Sequence, residues 1–273
     1  MQISQKNTPV SAHIAKSDGD IRTAPVAVFD SGVGGLSVLR EIHRILPGED
    51  LLYFGDSQNA PYGEKPPALV REWILQHATR LLERAKALVL ACNTATALAA
   101  RELRTRFPDR VILGMEPALK PALTVCPSAR VLVLATPITL QGQTYASLCQ
   151  KYAKSATVTA LPAPQIVEFV EKGELHSPAL QSYLRALLAP CKAPPPDALV
   201  LGCTHFFFAK KQILQALGCE APVFDGIHGT AAELARRLDA QALHDPLPHS
   251  GTVTFTSSKA GVLPLYARLF FAE

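Results

Sequence analysis

The sequence predicts an α/β protein built from two pseudo-symmetric α/β domains with mainly parallel sheets. Short runs rich in Val and Leu alternate along the chain with segments of helical periodicity. These runs are almost continuously apolar, which is typical of strands buried on both faces of a parallel sheet. Two of them, LVLACNT at 88–94 and LVLGCTH at 199–205, have the same form. The repetition indicates two halves of similar build.

Size and composition narrow the class of protein. The 273 residues are 48% hydrophobic and carry a net charge of +4, with Lys and Arg spread along the chain, so no nucleic-acid-binding arm is expected. The six cysteines form no CxxC pair and no zinc-finger spacing, so we expect reduced thiols, no metal and a cytoplasmic location. Residues 1–24 are polar and are predicted to form a flexible extension. No run reaches the ~18 apolar residues of a membrane span.

The first half is predicted to alternate strands and helices, with Pro and Gly marking the ends of elements. The predicted order is strand 26–30, helix 36–46, strand 51–56, loop 59–67, helix 68–84, strand 87–92 and a helix ending before Pro108.

The second half continues in the same style, with a proline-rich loop at 191–197. The predicted order is strands 111–115 and 130–136, helix 144–154, an extended segment at 157–163, helices 166–175 and 179–189, strand 198–203, helix 210–218, a strand and turn at 222–226, helix 229–243, strand 251–258 and helix 262–271.

Cys92 and Cys203 stand out because each follows a buried strand at the start of a predicted helix. Ligands of open α/β sheets bind at this edge. We expect Asn93, Thr94 and Thr204 to be capping residues. The helix dipole would then lower the pKa of both thiols below the free value of ~8.5. The other four cysteines are interpreted as small buried apolar residues.

Asp30 ends the first strand and precedes the glycine-rich turn SGVGG, whose N–H groups could hold an anion. The turn matches neither the P-loop nor the GxGxxG spacing. Tyr62 and Gly63 lie in a polar loop of the kind that often carries binding groups. A Cys with His205 beside it suits acyl transfer. Two thiols in matching halves, with no cofactor signature, favour instead a two-base inversion at one carbon.

Five motifs carry a resemblance to a known family. VFDSGVGGLSVL, NAPYGEKP, LVLACNTATAL, GMEPALKPA and LVLGCTHF together closely resemble the glutamate racemases of the aspartate/glutamate racemase superfamily, from about Pro25 onward. The resemblance implies a cofactor-independent isomerase that interconverts L- and D-glutamate for peptidoglycan synthesis, and hence for cell-wall biogenesis and cell shape. It also implies that residues 25–116 with 224–273 form the first domain, residues 117–223 form the second, and the active site lies in the cleft between them.

The resemblance also implies roles for individual residues. Cys92 would take the α-proton from D-glutamate with help from Asp30, and Cys203 would take it from L-glutamate with help from His205. A family glutamate near the second thiol matches Glu171 best, and Glu168 remains an alternative. The substrate-binding residues implied are Asp30, Ser31, Tyr62, Gly63, Asn93, Thr94, Thr204 and His205.

Two departures from the family pattern are Phe206-Phe207-Phe208 after CTH and Asp225-Gly226 in place of Asp-Ser-Gly. The family resemblance implies a homodimer. We expect no nucleic-acid partner and no membrane association. The extension before Pro25 resembles that of racemases activated by UDP-N-acetylmuramoyl-L-alanine. Three alternatives stay open at this point: a racemase for aspartate or another amino acid, a non-catalytic small-molecule-binding protein with a thiol redox switch, and a nucleotide-binding protein that uses SGVGG.

Overall fold

The computed structural model describes residues 3–5, 20–152, 156–247 and 249–271. The strands within these ranges are β1 (Ile3–Gln5), β2 (Val26–Asp30), β3 (Leu51–Gly55), β4 (Ala87–Leu90), β5 (Val111–Gly114), β6 (Arg130–Ala135), β7 (Thr157–Pro162), β8 (Ala198–Gly202), β9 (Val223–Phe224) and β10 (Val253–Ser257). The helices are α1 (Leu36–Ile45), α2 (Pro67–Leu82), α3 (Asn93–Arg106), α4 (Leu119–Val125), α5 (Pro137–Gln141), α6 (Gln143–Tyr152), α7 (Gln165–Lys172), α8 (Pro178–Leu188), α9 (Lys210–Leu217), α10 (Ile227–Ala240) and α11 (Leu263–Phe271).

The strands of the described ranges form two sheets. One has the order β1-β10-β3-β2-β4-β5 and the other has the order β7-β6-β8-β9. Every strand pair between described residues is parallel. The predicted fold class, an α/β protein with two mainly parallel sheets, is therefore confirmed.

Helices cover the first sheet on both faces, and this explains its continuous apolar strands. Strands β2, β3 and β4 are buried along their whole length. Helix α1 packs against α10 and α11 on one side, and α2 packs against α3 on the other. The cluster of buried apolar side chains around α1 continues without a break into the second sheet, where it includes residues of β6 and β8. The two sheets therefore share part of one core.

Two helices of the second half were not predicted. Helix α4 has Pro121 within its first turn, and α5 is only five residues long, too short to show a helical period. Thr136 caps α5 by accepting a hydrogen bond from the Thr139 N–H at 3.4 Å. Helix α5 begins two residues after the end of β6, and α4 begins five residues after the end of β5, so both follow the carboxyl ends of strands, the edge where the thiols lie.

The chain crosses between the sheets after β5 and after β9. Gly226 lies so close to Met115 and the Glu116 carbonyl that an added Cβ would overlap the methionine side chain. The two crossings therefore run side by side. Phe224, the last residue of β9, pairs with Val200 in the second sheet.

The predicted flexible extension, residues 1–24, is described only in part. Ile3–Gln5 pairs with β10 at the edge of the first sheet, and Ile21–Thr23 forms a 3-10 turn. Residues 1–2 and 6–19 of that extension lie outside the described residues. In the described part of the chain, no helix combines the length and apolarity that crossing a bilayer requires.

Candidate active site

The two halves meet at the carboxyl ends of their strands, with the glycine-rich turn 31–35 between them. A Cβ on Gly34 would overlap Thr204 and His205, and one on Gly32 would overlap Glu171. These glycines are needed because the turn presses directly against the second half. Asp30 crosses the same boundary, since the Thr204 hydroxyl donates to Asp30 Oδ2 at 3.1 Å.

Cys92 caps α3 with its own sulfur, which accepts a hydrogen bond from the Ala95 N–H at 3.4 Å. The prediction that Asn93 and Thr94 are the capping residues is therefore wrong. The predicted direction of the thiol pKa is also wrong. Burial, followed by the charge of Asp30, raises the pKa of Cys92 to about 12, despite the hydrogen bonds from Ala95 and Ser31. Loss of hydration outweighs the helix dipole at this site.

Cys203 begins a chain of polar contacts with His205 and Glu171. The Cys203 sulfur lies 3.8 Å from His205 Nδ1, and His205 Nε2 lies 2.6 Å from Glu171 Oε1. Burial opposes a charged imidazole, but the hydrogen bonds to Cys203 and Glu171 prevail and raise the pKa of His205 well above its usual value. Thr204 does not cap the following 3-10 turn, contrary to the prediction, because its hydroxyl is turned toward Asp30.

Of the two candidate glutamates on α7, only Glu171 contacts the site. Its Oε1 also accepts the Val33 N–H at 2.8 Å, so the anion held by the glycine-rich turn is this carboxylate. The Glu168 side chain is 44% exposed and pairs with Lys172. Burial raises the pKa of Asp30, which the charge of His205 and the N–H of Gly32 partly offset.

A second polar group surrounds the start of α3. Both the amide nitrogen and the amide oxygen of Asn93 are buried without a hydrogen-bond partner. The Thr94 hydroxyl lies 2.9 Å from Thr136 Oγ1 and 3.4 Å from Thr139 Oγ1. Sequence reasoning missed Thr136 and Thr139. Thr136 ends the apolar run RVLVLAT, a strand-end position like that of Cys92, and this position could have identified it.

Tyr62 and Gly63 lie at the same boundary but differ in their contacts. The Tyr62 hydroxyl donates to Asp56 Oδ2 at 2.6 Å, and Gly63 lies against Thr136. The tyrosine side chain is therefore occupied by Asp56, another residue that the sequence did not indicate. Of the three consecutive phenylalanines, Phe206 is fully buried, and Phe207 lies 5.7 Å from the Arg40 guanidinium.

The described residues contain no cluster of three or more His, Cys, Asp or Glu side chains that could hold a metal ion. The polar groups that do converge at the boundary are two thiols, two carboxylates, one imidazole, one amide and several hydroxyls. Buried acid–base groups at the strand ends of two facing sheets are suited to proton transfer.

Known proteins resemble the chain over most of its length. Residues 27–234 match the family model described as Asp/Glu/Hydantoin racemase. A glutamate racemase of Pseudomonas aeruginosa is 47% identical over 82% of this chain and 84% of its own. A glutamate racemase of Clostridium perfringens is 41% identical over 88% of this chain and 92% of its own.

A solved structure extends the similarity to three dimensions. The crystal structure of Escherichia coli glutamate racemase in complex with L-glutamate and the activator UDP-MurNAc-ala has a TM-score of 0.77 at 31% identity. The match covers 90% of this chain and 95% of that one. The matched residues include strands of both sheets and the site between them, and they make up more than half of the chain, so this chain belongs to the Asp/Glu/Hydantoin racemase family.

Proposed function

We propose that the chain interconverts L- and D-glutamate without a cofactor, using Cys92 and Cys203 as the two acid–base groups. The observation that carries the proposal is the pair of buried thiols, each backed by its own polar group from the same half. Asp30 accompanies Cys92, and His205 with Glu171 accompanies Cys203. The charge of Cys203 also raises the pKa of Cys92, as expected of two thiols that share one site.

The reaction moves one proton off and one proton onto the α-carbon. A thiolate removes the α-proton from one face and becomes a thiol, leaving a planar carbanion. The opposed thiol gives its proton to the other face and becomes a thiolate. No atom is gained or lost, and the product is the mirror image of the substrate. We propose that Cys92 acts first on D-glutamate and Cys203 first on L-glutamate.

The raised pKa of Cys92 suits this chemistry because the α-proton of an amino acid is a very weak acid. A thiolate whose conjugate acid has a pKa of about 12 is a stronger base than an ordinary thiolate. Such a thiol is almost entirely protonated near neutral pH. The ammonium group of the bound amino acid would bring a positive charge that favours the thiolate.

His205 would bring a positive charge to the second thiol, Cys203, as the substrate ammonium group would to the first. Its Nδ1 faces the sulfur while Glu171 holds its Nε2, so the ring orientation is fixed. A protonated His205, which Glu171 favours, would stabilise the Cys203 thiolate before it accepts the α-proton. In the reverse direction the same ring would assist the return of that proton.

The substrate carboxylates would be held by neutral donors and helix N-termini, since no Lys or Arg belongs to the described polar groups at this boundary. The unpartnered Asn93 amide is the strongest candidate donor, because leaving it unpaired costs free energy that a bound ligand would recover. The hydroxyls of Thr94, Thr136 and Thr139 provide a second group of donors. We propose Ser31, Thr204, Tyr62 and Gly63 as further binding residues, the last two through their loop backbone.

The wider role follows from the same resemblance. The E. coli racemase of similar fold was crystallised with L-glutamate and an activator, UDP-MurNAc-ala. We propose that the present chain supplies D-glutamate for peptidoglycan synthesis in the cytoplasm, acts as a homodimer and responds to UDP-N-acetylmuramoyl-L-alanine. Light scattering and turnover with and without that precursor test the last two points.

The test uses purified protein in deuterated water, under reducing conditions and without pyridoxal phosphate. L-Glutamate and, separately, L-aspartate are added, and the α-proton resonance and optical sign are followed. We expect glutamate to exchange and racemise, and Cys92→Ser and Cys203→Ser to abolish net racemisation while keeping the fold. Exchange of the α-proton of aspartate, but not of glutamate, would identify the chain as an aspartate racemase instead. No exchange with either amino acid, with or without the precursor, would refute the proposal.

A further inference from the structure

Behind Glu171 lies a row of hydroxyl groups that the proposed reaction does not use. The Ser57 hydroxyl donates to Glu171 Oε2 at 3.3 Å, and Ser57 Oγ lies 2.9 Å from the Tyr266 hydroxyl. Tyr266 also lies 3.1 Å from Ser257 Oγ and 3.2 Å from the Gly55 carbonyl. Ser57 follows β3, and Tyr266 belongs to α11. Ser57 of the first half therefore reaches a carboxylate of the second half, and Tyr266 contacts Ser57 from behind.

The number of hydroxyl protons available indicates which group donates and which accepts in each hydrogen bond of the row. Each hydroxyl has one proton to donate. Ser57 uses its proton on Glu171, and Ser257 uses its proton on the Gly55 carbonyl at 2.9 Å. The Tyr266 hydroxyl then has two acceptors for its one proton, Ser57 Oγ at 2.9 Å and the Gly55 carbonyl at 3.2 Å, and we assign the proton to the shorter contact. The hydrogen bonds therefore run from Tyr266 to Ser57 to Glu171.

The packing around Tyr266 fixes the position of its side chain. Its side chain is fully buried, and its ring meets Tyr53 edge-on with ring centroids 5.4 Å apart. A Cβ on Gly55 would overlap the Tyr266 hydroxyl, so the glycine makes room for it. Burial raises the pKa of Tyr266, which keeps it a neutral donor. A buried, fixed donor orients its acceptor more strictly than water would.

We propose that Ser57 and Tyr266 are positioning residues that hold the Glu171 carboxylate against His205 and thereby set the proton affinity of the Cys203 half-site. The inference rests on the proposed function. Donors to a carboxylate favour its charged form. Without them, the carboxylate would accept more strongly from His205 Nε2, and the His205 imidazole would hold its proton to a higher pH.

Other titratable groups also face this cluster. Their charges also affect the protonation of the Cys203 half-site, so these residues must be left unchanged in any test. They are Asp30 on β2, Tyr53 on β3, and Cys92 at the start of α3.

The experiment compares Ser57→Ala and Tyr266→Phe with the matched control Ser257→Ala. The control also removes a hydroxyl that contacts Tyr266, but one that does not lie between Tyr266 and Glu171. We call the row from Tyr266 through Ser57 to Glu171 the relay, and Ser57→Ala and Tyr266→Phe the relay variants. In both relay variants we expect the acid limb of the kcat/KM–pH profile to shift to higher pH by about 0.5–1 pH unit, which corresponds to the loss of one hydrogen bond. Ser257→Ala should keep the wild-type profile. Unchanged acid limbs in both relay variants, or an equal shift in the control, would overturn the inference.

A second readout separates this inference from the proposed activity. The His205 Nε2 proton, in a 2.6 Å contact with Glu171, should give a downfield NMR resonance, assigned by its loss in His205→Gln. We expect Ser57→Ala and Tyr266→Phe to displace this resonance and Ser257→Ala to leave it in place. An inactive wild type would refute the proposed function alone, and the NMR result would still decide the relay. A resonance unmoved in both relay variants would overturn it.

Discussion

Replacing Glu171 with Gln removes its charge while keeping its shape, at the carboxylate that orients His205. Glu171 Oε1 accepts from His205 Nε2 at 2.6 Å and from the Val33 N–H at 2.8 Å. The carboxylate side chain is only 16% exposed, so water screens little of its charge. The amide oxygen of Gln can still accept both hydrogen bonds. The expected change is therefore a loss of electrostatic support for a protonated His205.

The magnitude follows from the kind of hydrogen bond that is lost. A hydrogen bond to a charged group contributes about 1.5–3 kcal/mol, against about 0.5–1.5 kcal/mol for a neutral one. The difference of about 1–2 kcal/mol corresponds to a fall in kcat/KM of about 5- to 30-fold. Because enantiomers have equal free energies, kcat/KM must fall by the same factor in both directions. Only kcat and KM separately can differ between L- and D-glutamate.

The assay is the initial rate of change in optical rotation, starting from each enantiomer. Glu168→Gln is the matched control, because Glu168 lies on the same helix but is exposed and paired with Lys172. We expect the control to keep kcat/KM within about twofold, as for other surface charges. Thermal unfolding checks that both variants fold. A folded Glu171→Gln variant with full activity, or an equal loss in Glu168→Gln, would refute the assignment of Glu171 to the Cys203 half-site.

Three further outcomes are expected. Asn93→Ala should raise KM for glutamate while leaving the free energy of unfolding within about 1 kcal/mol of the wild type, because the lost amide has no partner in the protein; a large loss of stability in urea unfolding would contradict this. Alkylation of Cys92, followed by mass spectrometry without substrate, should accelerate steadily above pH 9, since burial raises the thiol pKa to about 12; a plateau by pH 8 would argue against that environment. Lys86→Met should lower the free energy of unfolding by about 3–5 kcal/mol without changing kcat, because it removes the cation from the buried Glu49 Oε2 and leaves that carboxylate only the His244 ring and the Asp245 N–H, both on Oε1; a loss below about 1 kcal/mol would show that the pair is not needed.

The alternation of apolar strands with helices was readable from the chain because strand burial and helical period are local properties of sequence. The α/β class and the parallel sheets follow from them. Helices α4 and α5 were not predicted from the sequence, because α4 contains a proline and α5 is only five residues long. Their presence depends on the strands before them and on packing against neighbouring elements, neither of which has a periodic signal.

The site shows the same division. The positions of Cys92 and Cys203 at strand ends, and the family resemblance, depend on local motifs and were available from the sequence alone. The choice of Glu171 over Glu168 was not, because both lie on α7 and only the packing of that helix against the glycine-rich turn decides which one meets His205.

Burial also decided the direction of the Cys92 pKa, which the helix dipole alone would have lowered. Thr136, Thr139, Ser57 and Tyr266 join the site from distant parts of the chain. The sequence by itself determined the class of fold and the two thiols. Which groups face those thiols, and how hydrated they are, was decided by tertiary structure, because desolvation and hydrogen bonding depend on contacts between residues far apart in the chain.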